Sequence, residues 1–93
     1  MIVGICQVEL RVYNCISLKS KRQVIKSIIE RLKSRYNISI AEVGDNDIWQ
    51  KSLLGFSCVS NSKKHIESVI SNVFNFIEND ERVEIISTDI EIV

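Results

Sequence analysis

The order in which the hydrophobic period changes along this chain limits its fold more than any single motif does. From Ile2 to Val12, the residues Cys6, Val8, Leu10 and Val12 alternate with Gln7, Glu9 and Arg11, the period of two that gives a strand one buried and one wet face. Between Ser17 and Tyr36 the period becomes helical, with Leu18, Ile25, Ile28, Ile29, Leu32 and Tyr36 gathered into one stripe at three- and four-residue steps. Strand patterns return over Ile38–Val43 and Leu53–Ser60. A second helical stripe, Ile66, Val69, Ile70, Val73, Phe74 and Ile77, occupies Ser62 to Glu78, and Val83–Ile92 reads as a last strand.

Local punctuation agrees with this division. Ser17 or Ser20 can cap the first helix, because a hydroxyl accepts from an orphan amide of the opening turn. Asn37 is expected to stop that helix, as asparagine tolerates a left-handed backbone. Gly44, Asp45, Asn46 and Asp47 make a polar turn, after which Ile48 to Lys51 is expected to form a helical turn that lays Trp49 across an open edge of the core; left exposed, Ile48 and Trp49 would mark a partner contact instead. The chain has no proline and only three glycines, so it contains no linker or low-complexity segment.

Strand, helix, strand, strand, helix, strand is the order of an α+β ferredoxin-like domain, a four-stranded antiparallel sheet with both helices on one face. At 93 residues it is read as one such domain. The first and third strands are expected in the centre, running the same way. On that reading the two helix starts emerge at one end of the sheet, and Lys19, Lys21, Arg22 and Lys26 share a rim with Lys63, Lys64 and His65. Two positive helix ends and these side chains would suit a phosphate backbone. Lys19, Lys21 and Arg22 oppose the helix dipole where they stand, each by a few tenths to about 1 kcal/mol, and a bound anion would reverse that sign.

Net charge is zero but unevenly spread. Eight of the twelve Lys and Arg lie between Arg11 and Arg35, and six of the twelve acids follow Phe76. Such a chain suits docking to something anionic better than non-specific coating of DNA, which favours a wholly basic domain. No run reaches the roughly 20 apolar residues of a membrane span, and MIVGIC lacks the length and basic start of a signal peptide, so a cytoplasmic protein is expected. Cys6, Cys15 and Cys58 form no CxxC pair and are read as reduced thiols, the first and third buried among strand residues.

Catalytic and metal chemistries find little to work with. Cys15 has no base in an obvious relation to it, and His65, the one histidine, has no ligand partner at suitable spacing. Glu42, Asp45 and Asp47 could hold a hard cation, but a polar turn accounts for them. A phosphatase loop of the kind found on ferredoxin-like acylphosphatases needs glycines that YNCISLKSKR lacks. Base stacking on the central strands, as in an RRM, needs aromatics there, and Phe56 alone lies on them, facing the core. We therefore expect no catalytic residue, cofactor, metal or small-molecule substrate. The outer sheet face, Val3, Ile5, Gln7, Glu9 and Arg11 against Leu53, Gly55, Ser57 and Val59, is half apolar and offers a homodimer interface as the alternative to RNA binding.

The segments SLKSKRQVIKSIIERLKSRYNISIAEV and DNDIWQKSLLGFSCVSN, followed by the helix from His65, resemble the YlxP-like family of small bacterial proteins, long carried as a domain of unknown function. The resemblance covers nearly the whole chain and rests most on Ser17, Leu18, Lys19, Lys21, Arg22, Asn37, Ala41, Glu42, Trp49, Gln50, Leu54, Gly55, Ser60 and Asn61. It implies a ferredoxin-like fold. The family's genes commonly lie beside those of a ribosome-binding factor and an initiation factor, which implies a role around RNA or the ribosomal particle. No catalytic residue carries over.

Overall fold

A computed structural model describes all 93 residues. Its elements follow in the expected order: β1 Ile2–Val12, α1 Leu18–Arg35, β2 Ser39–Gly44, β3 Lys51–Ser60, α2 Lys63–Glu78 and β4 Val83–Ile92. The strands form one sheet in the order β2-β3-β1-β4, with every neighbouring pair antiparallel.

The alternation read in β1 is what is buried: Cys6, Val8, Leu10 and Val12 face inward, as do Leu54, Phe56 and Cys58 of β3. Ile25, Ile28 and Leu32 of α1, and Ile66, Ile70, Val73 and Ile77 of α2, close over them from one side. Burying each such side chain contributes roughly 1.5–3 kcal/mol. Phe56 meets Phe74 edge to face, ring centres 6.1 Å apart.

The helix boundaries are set by hydroxyl caps. Ser17 is the cap of α1: its Oγ accepts from the Ser20 amide at 3.1 Å, while the Ser20 hydroxyl accepts from the Ser17 amide at 3.3 Å. Ser62 caps α2 by accepting from the His65 amide. Asn37 does not stop α1 in the left-handed way. Only Asn14 and Asp45 have positive φ among non-glycine residues, and α1 ends instead where Tyr36 turns extended, its amide still bonded to the Leu32 carbonyl.

Two further expectations fail. Ile48 to Lys51 forms no helical turn, and Ile48 and Trp49 are each 43% exposed, so Trp49 is not a lid on the core. The second failure matters more. β1 and β3 run in opposite directions, with Ile2 opposite Ser60 and Arg11 opposite Lys51. The crossover β1-α1-β2 leaves β2 parallel to β1, and the reversal into β3 then turns that strand back. α1 therefore begins at one end of the sheet and α2 at the other.

Candidate functional site

The antiparallel β1–β3 pair separates the two groups of basic residues. Lys63, Lys64 and His65 follow Ser60, beside Ile2, whereas α1 starts beyond Val12. Some nine residues of extended strand, about 30 Å, lie between those ends. The common rim does not exist: Lys63, Lys64 and His65 are exposed but are not brought together with Lys19, Arg22 and Lys26. In addition, the cap hydroxyls already occupy one opening amide of each helix.

Lys21 leaves the surface altogether. It is fully buried, its Nζ 2.7 Å from Glu42 Oε2 and 2.5 Å from the Asp45 carbonyl oxygen. Glu42 Oε2 also accepts from the buried Ser52 hydroxyl at 2.6 Å, and Oε1 from the Asn46 side-chain Nδ2 at 3.4 Å. Lys21 therefore cannot contact an external anion, because an internal carboxylate holds it. Its role is to fasten the β2–β3 turn, where Asp45 sits in the left-handed region, against the first turn of α1. The signal was present in the sequence: Lys21 lies one helical step before Ile25 on the buried stripe, and Glu42 shares the inward face of β2 with Ile40.

With Lys21 removed, α1 still carries six exposed cations, Lys19, Arg22, Lys26, Arg31, Lys33 and Arg35, against one acid, Glu30. Their pairings are loose. Arg22 reaches Asp47 at 3.9 Å and Lys26 reaches Glu30 at 4.0 Å, all four groups well exposed, an arrangement worth little in water. The turn that Lys21 fastens brings exposed apolar groups to the same end: Ile48 and Trp49 from the turn, and Tyr13 and Ile16 from the β1–α1 connection. The Gln50 carbonyl, accepting from the Val12 amide at 2.8 Å, ties the two loops together.

The largest surface depression, about 530 Å³, is elsewhere, between the second half of α1 and the turn after α2. Arg31, Arg35, Phe76, Asn79 and the Asp80–Arg82 segment line it. Its charges serve each other. Arg82 grips Asp80 at 2.7 and 2.9 Å and holds that carboxyl below its ordinary range, and Arg35 lies 4.9 Å over the Phe76 ring. The three cysteines are free, as the sequence indicates, and Cys6 and Cys58 are buried. Burial, with smaller contributions from Cys58 and Asp89, pushes the Cys6 thiol up to about 11.

Fold and surface together define a small ferredoxin-like domain with a strongly basic helix. A family model described as a protein of unknown function (DUF503) matches residues 3–90, and the chain belongs to that family. It is 35% identical over 82 residues, 88% of this chain and 89% of the other, to the uncharacterized protein YlxP of Bacillus subtilis strain 168. That agrees with the YlxP-like resemblance. Among solved structures, the designed protein LFR1 1 with ferredoxin fold superposes with a TM-score of 0.62 at 15% identity, covering 98% of this chain and 86% of that one. The designed protein Foldit4 gives 0.57 at 16% identity, with 98% and 96% covered. These two bear on fold alone. No helix is long and apolar enough to cross a membrane.

Proposed function

We propose that this protein is a non-enzymatic RNA-binding module, which docks single-stranded RNA or a ribosomal particle's exposed RNA along the solvent face of α1. The observation that carries the reading is the pairing of charge and ring at one end of the molecule. Lys19, Arg22 and Lys26 run along an exposed helix face, and the exposed Trp49 indole stands on the turn fastened to that helix. Phosphates supply the affinity of such sites, and bases stack on aromatic faces with little sequence preference. Lys63, Lys64 and His65 fall outside this surface.

Trp49 is the only tryptophan, so its fluorescence reports the site directly. Titration with a short single-stranded RNA at low salt is expected to quench it. With three phosphate contacts, log affinity should fall against log salt with a slope of about −2. Replacing Lys19, Arg22 and Lys26 together by Ala should flatten that slope. Absence of quenching and of any mobility shift at low salt would end the proposal.

A second reading rests on the outer sheet face. Ile5 and Val43 are exposed around a shallow trough of about 330 Å³, where Gly55 lets Val43 lie across the sheet, and Val59 is exposed further along β3. A homodimer through this face should dissociate on Ile5→Lys and ignore the changes in α1. A monomer by light scattering at micromolar concentration would remove it.

A further inference from the structure

The two edges of the sheet are protected very differently. β2 is six residues long and broken by an irregularity between Glu42 and Gly44, which spoils it as a template. β4 runs ten residues, is paired on one side only, and is regular from Ser87 to its end. Residues Ile86 to Glu91 are all exposed. No proline or lysine interrupts the strand.

Hydrogen-bond alternation says which groups are free. Val3 and Val93 exchange both bonds, so Glu91, Asp89 and Ser87, at steps of two, also turn their amides toward β1. Thr88, Ile90 and Ile92 then present N–H and C=O to the open side. Their side chains point toward the helices, where Ile90 and Ile92 border a groove of about 390 Å³ closed by Lys63, Glu67, Ile70 and Ser71 of α2. Asp89 and Glu91 point to the outer face, and Glu84 further along accepts from the Tyr13 hydroxyl.

We propose that the β4 edge accepts an extended peptide segment of another protein, alternating apolar and basic residues, as a fifth strand of the sheet. Residues directly opposite across two strands share a face. Apolar side chains of the incoming strand would enter the groove beside Ile90 and Ile92, and its basic ones would stand against Asp89 and Glu91. Main-chain bonds to Thr88, Ile90 and Ile92 give affinity, and the alternating pockets give selectivity. A second copy of this chain is the wrong occupant. Antiparallel self-pairing centred on Asp89 sets it against itself, and centred on Ile90 sets it against Glu91, and like charges directly opposite are destabilising.

The test is titration of the isotope-labelled full chain with a seven-residue, end-blocked peptide of alternating lysine and valine, followed by amide chemical shifts. Changes confined to Ser87–Ile92 and the facing side of α2 are expected, with Asp89→Lys combined with Glu91→Lys weakening binding about tenfold. Thr88→Pro, which removes an open-side N–H and no bond to β1, should abolish it while circular dichroism stays native. Equal binding of a glutamate/valine peptide, shifts elsewhere, no shift at millimolar peptide, or affinity untouched in these variants would each overturn the proposal. So would self-association of the chain lost on Thr88→Pro.

Discussion

Replacing Lys21 by methionine should destabilise this protein more than almost any other single change. The substitution keeps most of the volume and removes the ammonium that Glu42 and the Asp45 carbonyl share at 2.7 and 2.5 Å. Glu42, whose side chain is 14% exposed, would keep only the Ser52 hydroxyl and the distant Asn46 amide as donors. Leaving one half of a buried pair uncompensated costs about 3–5 kcal/mol, and the partial exposure of Glu42 puts the expected loss near the lower figure. A chain this size holds roughly 5–14 kcal/mol in all. With a urea dependence of about 1 kcal/mol per molar, the unfolding midpoint should drop by about 3 M, read by far-ultraviolet circular dichroism. The partner experiment converts the whole cluster to apolar residues: Lys21→Met, Glu42→Leu and Ser52→Ala together should recover most of the loss, because no buried charge or hydroxyl is then left alone. A single variant within 1 kcal/mol of the parent, or a triple variant whose losses simply add, would refute the reasoning.

Three other outcomes follow from named contacts. Gly4→Ala should cost about 1–3 kcal/mol in a urea titration, since its Cβ would stand 2.7 Å from Ile66 Cγ2 and 3.2 Å from Cys58 Sγ in a packed interface. The Asp80 carboxyl is depressed first by its hydrogen bond to Arg82, so the stability it adds is full above the ordinary carboxylate range and is lost as pH falls through the lowered value. Asp80→Asn should therefore lower the unfolding free energy read by urea titration at pH 7 by about 1–2 kcal/mol, and make little difference near pH 2. With a disulfide reagent at pH 8, Cys15 alone should react in the native protein and all three thiols in denaturant, because burial holds Cys6 and Cys58 protonated and out of reach. Rapid native reaction of more than one thiol would contradict that placement.

The elements were legible because their periods are clean: Cys6, Val8, Leu10 and Val12 can be buried together only as a strand, and Ile66, Ile70, Val73 and Ile77 only as a helix. The site was read less well, for two reasons of different kind. The direction of β3 follows from topology rather than from any residue, and an antiparallel sheet already requires its central neighbours to oppose each other. Only co-directional central strands would merge the two basic clusters, and the antiparallel pair holds them apart. Lys21 is hard to place because a lysine ordinarily seeks water, yet the stripe 21, 25, 28, 32 and the inward positions of Glu42 and Ser52 put all three groups on one buried face. Trp49 is a true limit of the pattern, since nothing in DNDIWQ distinguishes a ring folded over the core from one standing in solvent.

A zero net charge hides the feature that separates this molecule's surfaces. Arg22, Lys26 and Lys33 of α1 border a groove shared with Glu42 of β2, and the acids Glu84, Asp89 and Glu91 line β4 at the opposite edge. Three strand steps, about 14 Å, divide those edges. At physiological ionic strength the screening length is about 8 Å, so neither surface cancels the other's field for an approaching partner. An anionic polymer on α1 and a basic strand on β4 would then bind almost independently, each seeing the sign of its own side. Peptide affinity measured with and without saturating RNA should agree within about twofold. A larger change of either sign would mean that the two surfaces communicate through the sheet or that one ligand occupies both.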